Sequence, residues 1–233
     1  RVGDQVAVFL QKVELRPEGV RFLEGLRDDA ILPAPRAEEG LLEAAAKENA
    51  ATALAALQVL DQQGLTISQD ALSRGFRSVR WPARLEVLGK APLLVADGAH
   101  NPYSAARLLE ALREYFTFRR LIGVVGVLSD KNVEGIVREL AAGFDLAVAT
   151  RSRHPRSSAP AEVAEAFRGF GVEARAVDGT RRALGEALAQ AGEDDLVVVT
   201  GSLFVAAEAR EAVHGIPAES YPSLLPAELR RPV

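Results

Sequence analysis

The 233 residues include no cysteine and no methionine, only three histidines and only four lysines. Without thiols there is no disulfide, no thiolate metal site and no cysteine nucleophile. The three histidines, His100, His154 and His214, leave little for a histidine-based metal cluster, so no metal site is expected within the chain. Also lacking is any uncharged apolar run of the roughly 18 residues that span a bilayer, and the opening carries no signal-peptide pattern. A cytoplasmic protein with no membrane partner is the expectation. Lys and Arg number 28 against 32 Asp and Glu, a net charge of −4, so no global basic field would draw the chain to nucleic acid. A sequence that starts at Arg1 and contains no methionine is expected to be part of a longer product.

What is present is ordinary globular material: 48% hydrophobic and 26% charged residues, enough to bury a core. The length suits one large domain or one domain plus part of another. Residues 1–37 combine an apolar stretch, Val6 to Leu10, with charged sequence punctuated by Pro17, Pro33 and Pro35, and fit no clear element. From Glu38 to Gln63, apolar residues recur at three- and four-residue steps, and Gly64 follows. This predicts one amphipathic helix with a glycine stop. Ser68 can cap a shorter helix ending near Gly75.

After the basic stretch Arg74 to Arg84, short β-branched runs alternate with amphipathic segments. The runs are Leu93–Ala96, Leu121–Val127, Leu146–Thr150, Val172–Val177 and Leu196–Thr200; helices are predicted near 103–116, 133–142, 160–169, 181–191 and 203–213. Near-continuous apolar strands between helices predict a doubly wound α/β domain with a mostly parallel sheet. The tail, with Pro217, Pro222, Pro226 and Pro232, reads as a surface strap. Ligands of such sheets bind beyond the carboxyl ends of the strands. Those exits read Asp97-Gly-Ala-His100-Asn101-Pro102, Ser129-Asp130-Lys131-Asn132, Arg151-Ser-Arg-His154-Pro-Arg156 and Gly201-Ser202. Convergent Asp, His, Lys, Arg and Ser suit a phosphate or carboxylate ligand at helix N-termini. Loop capping by Asp, Asn and Ser is the competing reading.

Three stretches sharpen the choice: Asn49-Ala-Ala-Thr-Ala-Leu-Ala-Ala-Leu, Trp81-Pro-Ala-Arg84-Leu-Glu-Val-Leu and Val95-Ala-Asp97-Gly-Ala-His100-Asn101-Pro102. In this order they resemble the folylpolyglutamate synthase and dihydrofolate synthase family, a branch of the Mur ligases. Gly126-Val-Leu-Ser-Asp130-Lys131-Asn132, Thr150 with Pro155-Arg156, and Val199-Thr-Gly201-Ser202-Leu203-Phe204 extend the likeness over about residues 38–213. The resemblance implies a Rossmann-like C-terminal ligase domain over 80–233 and the end of a central ATPase domain over 1–79. It also implies an ATP-dependent ligase that adds L-glutamate to a folate or dihydropteroate acceptor through an acyl phosphate, in folate biosynthesis and one-carbon metabolism. Mg2+ would be the metal, with ligands outside this chain, and a monomer is expected.

Carried over by motif, Asn49, Arg84 and Asp97 match nucleotide-binding positions, with Arg84 on phosphate. His100 takes a positioning or charge-stabilising role, or alternatively caps its own loop; Asn101 with Pro102 fits an N-cap. Lys131 and Ser202 resemble residues at the amino-acid end of the site, with a solvated Lys131 the alternative. Arg151, His154 and Arg156 would suit a dianionic glutamate or form a solvated loop. Two departures stand out: Ala83 occupies a position where the family usually has Gly, and the phosphate loop G-x-x-x-x-G-K-[ST] occurs nowhere in the 233 residues. The chain alone is therefore expected to be inactive. A Mur-type ligase with another acceptor, and a non-catalytic α/β module, are the alternative readings.

Overall fold

The computed structural model describes residues 53–57, 59–60, 63–64, 66–78 and 81–219. The chain divides into two compact units, Arg1–Trp81 and Pro82–Val233. In the first, residues 53–57 and 59–60 are helical with Leu54 and Ala55 buried, and Gly64 takes φ +99 at the expected stop. The earlier part of that helix, Asn49 included, lies outside the described residues. The Ser68 hydroxyl accepts from the Ala71 amide at 3.2 Å and opens α1 (Gln69–Ser78). This helix passes through Gly75, where an end was expected. Gly75 does not adopt the left-handed conformation, and a mid-helix glycine costs only about 1 kcal/mol against alanine.

The second unit is a six-stranded sheet made of β1 (Glu86–Lys90), β2 (Leu93–Ala96), β3 (Leu121–Val125), β4 (Leu146–Ala149), β5 (Glu173–Ala176) and β6 (Leu196–Thr200). Their spatial order is β1-β2-β6-β3-β4-β5. All neighbours run parallel except β1, which pairs antiparallel with β2. The five apolar runs read from the sequence are the five parallel strands. The edge strand β1 was not foreseen, because Glu-Val-Leu-Gly-Lys is short, mixed in polarity and interrupted by glycine.

The helices are α2 (Pro102–Tyr115), α3 (Val133–Ala141), α4 (Pro160–Gly169), α5 (Thr180–Gln190) and α6 (Leu203–His214). Side chains alternate across each strand. Val125 and Val198 join Leu108, Leu112, Ile136, Leu140, Val163 and Phe167 of α2, α3 and α4. Val124, Val197 and Val199 join Ala183, Leu184, Val205 and Ala209 of α5 and α6. The sheet is thus covered on both faces and its central strands are fully buried, as near-continuous Val, Ile and Leu runs require.

This winding places the site. After β2 and β3 the chain enters helices on one face; after β6, which lies between them, it enters α6 on the other. The direction reverses beyond the carboxyl ends of β2, β6 and β3, the position at which open α/β sheets as a class bind ligands. The backbones crowd there. Gly201 has φ +96, and a Cβ on it would stand 2.8 Å from the Gly126 carbonyl oxygen, so only glycine fits both the torsion and the gap.

Candidate functional site

The β2 exit is built around one carboxylate. Asp97 is 7% exposed; its Oδ1 accepts from the Ala99 amide at 2.8 Å and its Oδ2 from the Leu85 amide at 2.9 Å. Burial pushes its pKa upward, while the two amides and the charges of Arg84 and His100 pull the other way. The Leu85–Asp97, Gly98–Ala83 and His100–Gly98 hydrogen bonds bring the Arg84 loop, Asp97 and His100 into one neighbourhood. Asp97 is thereby also a brace between the strand exit and the Arg84 loop, a role the motif comparison did not anticipate.

Arg84 is exposed and sits between two non-glycine residues in the left-handed region, Ala83 at φ 57 and Leu85 at φ 45. The Gly98 amide donates to the Ala83 carbonyl at 2.8 Å, and the Ala83 amide donates to Glu86 Oε2 at 2.8 Å. Glu86 Oε2 in turn lies 2.6 Å from Nε of Arg210, on α6.

His100 is exposed, and its Nδ1 lies 3.1 Å from the Gly98 carbonyl. A carbonyl only accepts, so Nδ1 carries the proton and Nε2 is left for other partners. Asn101 caps α2: its side chain accepts from the Ser104 amide at 2.8 Å, Ser104 completes the capping box, and Pro102 fills the first turn. The N-cap reading of Asn101 holds, and the His100 ring bonds a carbonyl of its own loop, as the alternative reading of that residue expects.

The neighbouring exits adjoin this one. A Cβ on Gly135 of α3 would meet Pro102 Cγ at 2.8 Å, and one on Gly98 would meet Leu203 Cδ1 of α6 at 3.3 Å. The Ser202 hydroxyl caps α6 by accepting from the Val205 amide at 3.2 Å. Capping uses a lone pair and leaves the hydroxyl proton free to donate. Lys131 is partly exposed, with Nζ 3.7 Å from Asp130, and precedes Asn132, whose side chain caps α3. The hydroxyls of Thr150 and Thr200, at or just past the ends of β4 and β6, are buried without a hydrogen-bond partner, a costly arrangement in a folded interior.

The basic cluster after β4 is not three exposed cations. Arg151 makes a forked pair with Asp178 at 2.6 and 3.3 Å, and Arg156 pairs with Asp130 at 3.1 Å. His154 is buried, packs 4.3 Å from the Phe204 ring and accepts from the Arg156 amide through Nδ1. Burial and the Arg156 charge lower its pKa, against a smaller opposing pull from Asp130. His154 therefore shapes the loop from within. Sequence reasoning also missed the anchor of that loop. Glu208 of α6, buried, accepts from the Arg153 amide at 2.7 Å and from the Thr180 hydroxyl at 2.6 Å, and Glu211 pairs with Arg153 at 2.6 Å. Two acidic residues three apart in an otherwise apolar helical stripe were the available signal.

Residues 83–203, more than half of the chain, match the family of the Mur ligase, glutamate ligase domain. The chain belongs to the Mur ligases. This Mur ligase chain is 37% identical over 164 residues to a probable bifunctional folylpolyglutamate synthase/dihydropteroate synthase of Halobacterium salinarum, covering 70% of itself and 19% of that protein. The folylpolyglutamate synthase of Mycobacterium tuberculosis complexed with ADP superposes with a TM-score of 0.65 at 33% identity, over 73% of this chain and 40% of that one. A bifunctional folylpolyglutamate synthase/dihydrofolate synthase with Mn, AMPPNP and L-glutamate bound gives 0.62 at 31% identity, over 70% and 39%. The chain thus spans about a fifth of the length of that curated relative and two fifths of these structures. Among the described residues of this Mur ligase, no group of three His, Asp or Glu side chains could hold a metal ion, and no helix is long and apolar enough to cross a membrane.

Proposed function

We propose that the protein to which this chain belongs is an ATP-dependent ligase that joins L-glutamate to a folate or dihydropteroate acceptor. The acceptor carboxylate attacks the γ-phosphorus of ATP, ADP departs, and the resulting acyl phosphate is attacked by the glutamate amine, releasing inorganic phosphate. The observation that carries this reading is Arg84 and His100 gathered about the buried Asp97 at the strand exit of a Mur ligase domain. Relatives that bind ADP, AMPPNP and L-glutamate support it.

Arg84 presents a forked, permanently charged group to phosphate oxygens and to the charge that builds during transfer. His100 offers Nε2 outward, as acceptor when neutral and donor when protonated. Asp97 retains lone pairs beyond the two already engaged, which suits a ribose hydroxyl, and Asn49 belongs with it at the nucleotide. Lys131 and the Ser202 proton suit the carboxylates of glutamate. For His154, assigned to the glutamate end of the site, burial against Phe204 favours holding its loop over direct ligand contact. Residues 1–79 are the end of a central ATPase domain in this reading. The metal, magnesium in this reading, would neutralise phosphate charge. Its ligands are assigned outside this chain, and no step is drawn through it.

The test is product formation by the full-length protein from ATP, L-glutamate and either dihydropteroate or folate. Release of ADP and phosphate should require both the acceptor and glutamate. Arg84→Ala should weaken nucleotide binding on the order of 10- to 100-fold, the size of a lost charge-assisted contact. Because the phosphate loop is absent from these 233 residues, the chain alone should turn over nothing. Acceptor-dependent ATP hydrolysis by the isolated chain would refute that. Glutamate transfer to a non-pteroate acceptor alone would favour another Mur-type ligase.

A further inference from the structure

Both residues flanking Arg84 lie in a backbone region that non-glycine residues avoid: Ala83 at φ 57 and Leu85 at φ 45. Such torsions persist only where surrounding contacts over-determine them. Here two carboxylates contribute, together with the packing of Ala83 against Ala96 and Ala206. Asp97 Oδ2 takes the Leu85 amide at 2.9 Å. Glu86 Oε2 takes the Ala83 amide at 2.8 Å and forms an ion pair with Arg210, whose Nε is 2.6 Å away without hydrogen-bond alignment. The Gly98 amide closes the loop onto the Ala83 carbonyl at 2.8 Å. Ala83 is buried while Arg84 is exposed, so the loop is pinned at its base and presents its guanidinium outward.

Resting on the proposed phosphate role of Arg84, we infer that Glu86, anchored by Arg210, is a positioning residue for Arg84. It fixes the left-handed turn at Ala83 that aims the guanidinium before nucleotide arrives. Alanine at 83 makes the clamp necessary. Glycine populates φ near +60 without strain, whereas alanine drifts back to negative φ once its amide loses its acceptor. Arg210 lies more than a hundred residues further on, so Glu86 adds a polar link between α6 and the Arg84 loop beside the packing of Ala83 with Ala206.

The experiment measures ADP binding to the full-length protein by calorimetry, with thermal stability recorded for every variant. Glu86→Ala should weaken ADP binding roughly 10-fold, the scale of a misplaced contact group. Glu86→Gln, which keeps an acceptor for the Ala83 amide, should lose less. In an Arg84→Ala background, Glu86→Ala should have almost no further effect, because the two act through one contact. Ala83→Gly in the Glu86→Ala protein should restore much of the affinity. Equal losses in the presence and absence of Arg84, or no rescue by Ala83→Gly, would overturn the inference and leave Glu86 a general stabiliser.

A ligand-free measurement separates this from failure of the nucleotide reading. Should Arg84→Ala bind ADP normally, the phosphate role is wrong, and the 13Cα shift and amide exchange of Ala83 then decide the positioning claim. A Glu86→Ala protein in which both stay at wild-type values overturns it, and a move toward negative-φ shifts with faster exchange upholds it.

Discussion

Asp97 and Asp195 show how differently two buried carboxylates can be used. Asp195 has a fully buried side chain at the amino end of β6, with Arg119 at 3.1 Å, Arg120 at 2.7 Å and the Gly192 amide at 2.8 Å. Arg120 foremost, then Gly192 and Arg119, hold its pKa well below the ordinary carboxylate range despite burial. A group with a depressed folded pKa contributes stability that is complete above its unfolded pKa of about 4 and disappears as pH falls through the folded value. Asp195→Asn should therefore cost about 1–3 kcal/mol at neutral pH, the scale of lost hydrogen bonds to a charged group. In urea titrations the gap from wild type should narrow once the pH drops below 4, and a pH-independent gap would exclude this ion-pair account. Asp97 runs the other way: burial raises its pKa, so keeping it charged costs stability.

At the scale of elements, the helix starts were legible because capping is a local code. Asn101-Pro102, Asn132 and Ser202 each lie next to the helix they cap, and the Asp-Gly-Ala-His-Asn-Pro run packs Asp97, His100 and the cap into six consecutive residues. Asn101→Ala removes the Ser104 amide's acceptor and one half of the capping box. It should cost about 1 kcal/mol, seen as a fall in Tm of about 2–4 °C for a domain of this size; an unchanged Tm would mean that α2 is held by packing alone. What the sequence hid was non-local. Arg153 meets Glu208 and Glu211 across more than fifty residues, and His154 is buried because Phe204, from another exit, covers it. A histidine between arginines reads as solvated until topology supplies its lid. Strand β1 escaped notice for a related reason: its place is set by antiparallel pairing to β2 rather than by an apolar run of its own.

At the scale of the whole unit, parallel strands and two helix-covered faces were readable from alternating apolar runs, since burial on both sides leaves no polar face to write. The strand order was not readable, because β6 enters between β2 and β3 and nothing in its own residues names its neighbours. That order puts β1 and β5 at the two edges of the sheet. At one, β1 slips register between Val87 and Gly89. At the other, β5 is only four residues long, and Arg175 pairs with Glu173 at 3.3 Å and Glu186 at 2.6 Å. Irregularity and charge at a sheet edge deter further strands from adding on. Replacing Glu173 and Arg175 by valine should leave the unit folded yet prone to added concentration-dependent self-association, visible as a rise in light scattering; a variant that scatters as the wild type does would place the deterrent elsewhere. The ion pairs of β5 thus act as a guard on colloidal behaviour, keeping a sheet rich in valine and alanine from becoming the seed of a fibril in a crowded cell.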